Sequence, residues 1–360
     1  MTGQSHRSLG YSVLWTILVT SVKAESQTCH DKFKVFPGHT ACLEPSQDVH
    51  LAISGVSYSE KREIVNLHNE FRSKTRYLAA NMQKMYWDDE VALLAQRWAD
   101  TCPTYSNPHE DGVLRSIPGR FNRLGQNVAW GYTSWSGVLK AWWGELKDFK
   151  YGFGSINGKA IGHYTQMAWA TSAKIGCGFA MCGVTRTFVC DYAQVGNIGT
   201  PSDPNARYKP YREGNDRCEA CPDKCENGLC DCLGKVCHNG GTLDLNTCKC
   251  SCPTTAMGFF GDLCDLNCSK SRDNTYACAT TGGPFTKTDC RNFANVAEYC
   301  PNMCNICPAG GVDYKGDDGV YNIVTTPPPS TATALQLCIS NFCLTIIVPY
   351  VCCYLHFYIT

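Results

Sequence analysis

The 26 cysteines of this chain are unevenly spread, and their distribution limits what it can fold into. Six lie within residues 1–217, sixteen within 218–307 and four within the last 53 residues. Reduced cytosolic proteins do not carry thiols at this density, so a disulfide-bonded protein of an oxidising compartment is implied. The first region is long enough to bury a conventional core. The next 90 residues hold too little apolar material for one and must be stapled. Lys plus Arg equals Asp plus Glu at 32 each, which gives no electrostatic reason for nucleic acid or an anionic membrane as the main partner.

Both ends explain the redox setting. His6 and Arg7 precede an apolar run from Leu9 to Val22, and Val22-Lys23-Ala24 places small residues where a signal peptidase reads them. Residues 1–24 are therefore expected to be a signal peptide, the run being too short to span a bilayer. At the other end no charged residue follows Asp318; a Pro/Thr/Ser linker within 309–334 leads to an apolar tail, 335–360. A glycolipid-anchor signal, a tail helix and a wrongly joined exon all remain open for that tail, and the first two would tether the chain to a membrane.

After an extension (25–58) carrying Cys29 and Cys42, Ile64, Leu67, His68 and Phe71 repeat at helical spacing, which predicts a helix from about Ser59 to Leu78. Asp88 or Asp89 is expected to cap a second helix containing Val91, Leu94, Ala95 and Trp98, and Ser136 a third containing Val138, Trp142 and Leu146. Between Lys174 and Asp191 the pattern alternates around a short Gly-containing turn, as in a hairpin. Helices around a small antiparallel sheet make a layered α/β core, ending near the polar stretch Tyr208–Gly214.

Three motifs in this core resemble those of the CAP superfamily, which comprises cysteine-rich secretory proteins, antigen 5 and the group-one pathogenesis-related proteins. His68-Asn69-Glu70-Phe71-Arg72 is similar to its HNxxR element, Gly162-His163-Tyr164-Thr165-Gln166 to GHYTQ, and Cys190-Asp191-Tyr192 to CNY. The resemblance implies an α/β fold, a three-layer α-β-α sandwich over 59–214, with a cleft into which two histidines and two acids point. Carried over, the tetrad is His109, Gln126, Glu145 and His163, with Gln126 standing where the family usually has the Glu of GEN. A neutral amide supplies neither charge nor a proton-transfer group. Asp191 for Asn and Gln194 for Pro are further departures, expected to be neutral for the fold.

His109, Glu145 and His163 are the ligand types of a zinc site with one open position. The competing reading is that they only bond one another and hold the helices. With Gln126 present the latter is favoured: no cofactor is required, and any zinc binding is expected to be weak. Neither an HExxH element nor a GxSxG elbow supports a hydrolase. The resemblance also implies Cys102–Cys182 and Cys177–Cys190, and parity then leaves Cys29 for Cys42. A third bridge that often precedes GHYTQ is absent because Ile161 takes its place.

Beyond a cysteine-rich hinge (215–236), residues 237–266 resemble an EGF-like module, with Cys237-His238-Asn239-Gly240-Gly241 and a Gly258–Gly261 turn before Cys264. Zinc ligation by the closely spaced cysteines, from Cys218-x2-Cys221 onward, is outweighed by disulfides in a secreted chain. Residues 267–308 resemble a ShK-like toxin module, whose implied bridges are Cys268–Cys307, Cys278–Cys300 and Cys290–Cys304. Channel-blocking members expose a Lys-Tyr pair between the third and fourth cysteines. Here Asn295 and Val296 stand at that place, and Arg291 reads as a solvated surface residue. Asn267-Cys268-Ser269 is a formal glycosylation sequon interrupted by a bridged cysteine.

The resulting expectation is a secreted, non-enzymatic CAP protein that binds extracellular proteins or receptors, with a sterol or lipid as a further candidate ligand. Ion-channel modulation and, less favoured, metal-dependent hydrolysis in the cleft are the alternatives.

Overall fold

The computed structural model describes residues 29–200, 202–253, 258–293 and 295–315, together with the backbone of 335–339 and 342–346. The signal peptide, most of the linker and most of the tail lie outside these residues. Within the tail, Leu335–Ile339 and Phe342–Ile346 pair as antiparallel strands. Among the described residues no helix is long and apolar enough to cross a membrane.

A short helix α1 (Asp31–Lys34) opens the extension, followed by α2 (Tyr58–Arg72). Ser57 accepts from the Glu60 amide while Glu60 returns a bond to the Ser57 amide, a capping box that sets the start of α2. The helix ends at Arg72 rather than near Leu78. Ser73–Arg76 offers no apolar face to continue it, and Thr75 turns the chain by donating to the Tyr77 carbonyl. Asp88 caps α3 (Asp89–Asp100), accepting from the amides of Glu90 and Val91. Ser134, not Ser136, caps α4 (Trp135–Gly144). The earlier start brings Trp135 into the first turn, where it is buried against Phe188.

Strand β1 (Tyr86–Trp87), β5 (Lys174–Cys182), β6 (Thr185–Ala193) and β2 (Gly125–Trp130) form one sheet in the order β1-β5-β6-β2. All pairings are antiparallel except β1 with β5. Alternation along the strands builds two cores. Ile175, Cys177, Phe188, Cys190 and Tyr192 meet Ile64 of α2, Trp135 and Trp142 of α4, and Met167 of α5 (Gly162–Met167). On the opposite face Val128, Ala180 and Val189 meet Ala95 and Trp98 of α3. This is the three-layer α-β-α sandwich, an α/β fold. Glycine is needed at 176 and 178 because a Cβ there would lie 2.0 Å from Ala92 N and 2.3 Å from Gln96 Cα of α3. A small pair, β3 (Phe149–Lys150) and β4 (Gly154–Ser155), precedes α5.

Eleven disulfides join the described cysteines. Cys29–Cys42, Cys102–Cys182 and Cys177–Cys190 lie in the extension and core. Cys218–Cys225 and Cys221–Cys230 staple the hairpin of β7 (Cys225–Glu226) and β8 (Leu229–Cys230). Cys232–Cys248, Cys237–Cys250 and Cys252–Cys264 hold β9 (Thr242–Asp244) to β10 (Lys249–Ser251) and the β11 (Phe259–Phe260) and β12 (Asp265–Leu266) pair. The Cys232–Cys248 bridge crosses the boundary expected between 236 and 237, so the second module begins at or before Cys232. Cys268–Cys307, Cys278–Cys300 and Cys290–Cys304 close the last segment around helices α6 (Asp289–Asn292) and α7 (Val296–Tyr299).

These segments do not hang free of the sandwich. Phe36 and Val113 share a core with Phe259, Leu266, Val296 and Ile306. Asn239 Nδ2 donates to the carbonyls of Gly119 and Cys264, and the Asn239 amide donates to the Arg120 carbonyl. Gly119, at φ +83°, is packed so closely that a Cβ would stand 1.9 Å from the Gly310 carbonyl oxygen.

Candidate functional site: a cleft of two histidine pairs

Residues 126 and 127 of the edge strand β2 point to opposite faces of the sheet, and each reaches one side of the cleft. On one side His109 Nδ1 donates to Gln126 Oε1 at 2.7 Å. On the other, Asn127 Nδ2 donates to the His163 carbonyl at 3.1 Å, and His163 Nδ1 donates to Glu145 Oε1 at 2.6 Å. The second oxygen of Glu145 accepts the Tyr164 amide at 3.0 Å, and Trp142 stacks on the His163 ring at 5.6 Å. The tautomers follow from these bonds: both rings carry their proton on Nδ1 and, among the described residues, leave the Nε2 lone pair without a protein partner.

Behind His109 lies a layer that the motifs did not announce. Gln126 Nε2 donates to Asp191 Oδ1 at 2.9 Å and to Glu110 Oε1 at 3.3 Å. Arg115 pairs with Glu110 at 3.3 Å, and Thr40 donates to it at 3.2 Å. Asp191 is completely buried and, among the described residues, its Oδ2 has no partner. Burial, reinforced by Glu110, pushes the Asp191 carboxyl well above the ordinary carboxylate range, and burial also raises Glu110. Burial lowers His109, outweighing the hydrogen bond to Gln126. Asp191 thus sets a buried acid beside Glu110 where the family pattern has an amide. Its difference from Asn was the available signal, and Glu110 beside His109 was the other.

The tetrad residues thus sit in two pairs rather than a cage. Among the described residues, the donor set lying within 4.8 Å of one another is Cys218, Cys221 and Cys230, all of which are in disulfides. His109, Glu145 and His163 do not converge in this way, and each Glu145 oxygen already accepts a hydrogen bond. A three-donor His₂Glu zinc site does not fit this arrangement. A separate apolar pocket, between Phe36, Ile117, Phe121, Phe259, Leu266 and Ile306, encloses about 20 Å³, room for a water and not for a sterol.

Residues 65–192 match the sequence profile of CAP, the cysteine-rich secretory protein family. The cysteine-rich venom protein Mr30 of Conus marmoreus is 32% identical over 315 residues, covering 82% of this chain and 97% of that protein. The chain belongs to the cysteine-rich secretory protein (CAP) family. Cysteine-rich secretory protein 2 of Homo sapiens is 35% identical over 224 residues, or 60% of this chain and 79% of that one. The solved structure of NaASP2 with Zn2+ matches at 26% identity and a TM-score of 0.41, covering 49% of this chain and 97% of that one.

Further contacts join the elements of the CAP core. Asn127 Nδ2 lies 3.3 Å from the Tyr192 hydroxyl, which donates to His68 Nε2 at 3.1 Å, so residues of three separate motifs meet under the cleft. Arg72, the last residue of the HNxxR element, is buried and donates to the carbonyls of Gln83, Met167, Trp169 and Ala170. The elements that identify the CAP family are thus largely the ones that hold its helices onto the sheet.

Proposed function

We propose that this is a secreted CAP protein that acts by binding extracellular or cell-surface partners, not by chemistry in its cleft. The observation that carries the reading is the fourth position of the cleft: Gln126 is an amide, and its oxygen accepts from the His109 ring. Glu145 is bonded by the His163 ring and the Tyr164 amide. The histidine Nε2 atoms can still accept from a water, but the acid that the family pattern sets beside them is replaced by an amide, which moves no proton. Eleven disulfides suit an extracellular setting. The three bridges of 232–264 support an EGF-like reading, and the first-to-sixth, second-to-fourth and third-to-fifth bridges of 268–307 a ShK-like one.

A channel-plugging role is not favoured by the last module. Val296 is buried beneath it, and Asn295 beside it carries no charge. Its docking on the 113–121 loop makes it part of one continuous surface with the CAP core. The test is to incubate labelled full-length mature chain with intact cells and with extracellular matrix, and in parallel with a broad peptide library. Saturable binding displaced by unlabelled chain, without turnover, is expected. Peptide cleavage that His163→Ala abolishes would overturn the reading.

A further inference from the structure

Outside the histidine cleft, segments far apart in sequence meet at an open groove of about 380 Å³, within the roughly 300–1,000 Å³ typical of ligand sites. The 120–123 loop, with Val195 and Ile198, forms one wall, and the Asn239–Thr242 turn forms another. Glu298, from α7, lines it as well. The groove therefore exists only because the cysteine-rich modules are docked on the sandwich.

Glu298 gives this groove a chemical preference. Its half-buried carboxyl has the Asn122 amide as hydrogen-bond partner, and among the described residues no cation pairs with it. The charged groups bordering the groove are Arg120 and Arg123. Arg120 is held by Asp88 and Glu90, and Arg123 is exposed at the rim without contributing to Glu298. Burial raises the Glu298 carboxyl to about 7. A carboxylate removed from water without a cation is unfavourable, and a ligand cation would supply the missing partner. Val195 and the exposed Ile198 lie along the same wall, where the aliphatic stem of a lysine or arginine can rest while its head reaches the carboxylate.

We propose that the groove between the CAP core and the two cysteine-rich modules binds a basic side chain of a partner peptide, its ammonium or guanidinium group seated against Glu298. This deepens the partner-binding reading. It is measured on the groove alone, so its failure leaves cell-surface binding to be judged separately.

The test is calorimetric titration of the full mature chain at pH 8 with acetyl-Gly-Lys-Gly-amide, with the same peptide carrying norleucine for lysine, and with spermidine. The lysine peptide is expected to bind at least tenfold more tightly than the norleucine peptide. Glu298→Gln should remove that preference, and Glu298→Asp, which keeps the charge, should retain part of it. Lowering the pH from 8 to 6 should weaken the lysine peptide about tenfold as the carboxyl takes up its proton. Absence of lysine-peptide binding at pH 8, equal binding of the norleucine peptide, or an unchanged preference in folded Glu298→Gln would overturn the proposal. Binding of spermidine without the peptide would overturn the peptide as occupant.

Discussion

Gln126 and Asp191 face each other in the antiparallel register of β2 and β6, and the Gln126 amide donates to the Asp191 carboxyl at 2.9 Å. The CAP resemblance implies Glu at the first position and Asn at the second. One carboxylate and one amide are still present across the strand pair, but they have changed places. The acid now lies beneath the sheet beside Glu110, and an amide faces His109. The two departures from the family pattern therefore meet in one hydrogen bond.

Gln126→Glu alone should be destabilising, because it sets a third carboxyl against Asp191 and Glu110 in a buried place. Like charges there, or the protonation they force, should cost about 2–4 kcal/mol. The double variant Gln126→Glu/Asp191→Asn restores one acid and one amide and should return most of that loss. Urea unfolding of the two variants and the parent measures the coupling. Additive losses would show that the two positions do not act as a pair.

Arg72 makes five hydrogen bonds to four backbone carbonyls and is wholly buried. Lysine has three donors on one atom and cannot span the same four acceptors. Arg72→Lys should leave buried carbonyls unsatisfied and cost about 3 kcal/mol, read as a lower urea midpoint at unchanged m-value. A loss below about 1 kcal/mol would mean that water takes over these acceptors.

The central helices and the hairpin were legible because helical spacing at Ile64 and Val91 and alternation after Lys174 are strong local signals. The cap of α4 was not. Ser134 and Ser136 are equally good local caps, and the choice is made by the burial of Trp135 against Phe188, a contact 53 residues away in sequence. Strand β2 was also hidden, since Gly125-Gln126-Asn127 is a poor strand sequence whose polar side chains are satisfied by distant partners: His109, Glu110, Asp191, Tyr192 and the His163 carbonyl. The cleft residues were found by motif. The setting of the His109–Gln126 pair depends on Glu110 and Asp191, which no motif marks as partners.

Burial lowers His39 and His68 to about 4. Their folded values lie below the ordinary 6.5, so the stability they contribute is present above pH 6.5 and is lost as the pH falls through about 4. Between those limits the unfolded chain takes up protons that the folded chain refuses. The full difference is worth about 3 kcal/mol for each ring. Asp100, raised by burial to about 6, acts with the opposite sign in part of this window, so the test compares a variant with its parent. His39 Nε2 donates to the Ser116 carbonyl and Nδ1 accepts the Ala41 amide, roles a glutamine can imitate. Between pH 7 and 4.5 the thermal midpoint of His39→Gln should fall less than that of the parent. Parallel curves would show that His39 does not titrate in this range.

The Cys232–Cys248 bridge makes a prediction about dissection of the modules. A fragment 237–308 carries eleven cysteines, an odd number, and lacks the partner of Cys248. A fragment 232–308 carries twelve, and every one has its partner inside the fragment. After oxidative folding, thiol titration under denaturing conditions should find one free thiol per chain in the shorter fragment and none in the longer. Mass mapping of the shorter one should place the free thiol at Cys248 or show scrambling among Cys237, Cys248 and Cys250. The bridge closes a loop of sequence separation 16, which in the chain-entropy picture contributes about 3 kcal/mol, so the shorter fragment should also unfold at lower urea. A single free thiol elsewhere, with Cys248 bonded to a cysteine of 268–307, would overturn the placement of the module start at or before Cys232.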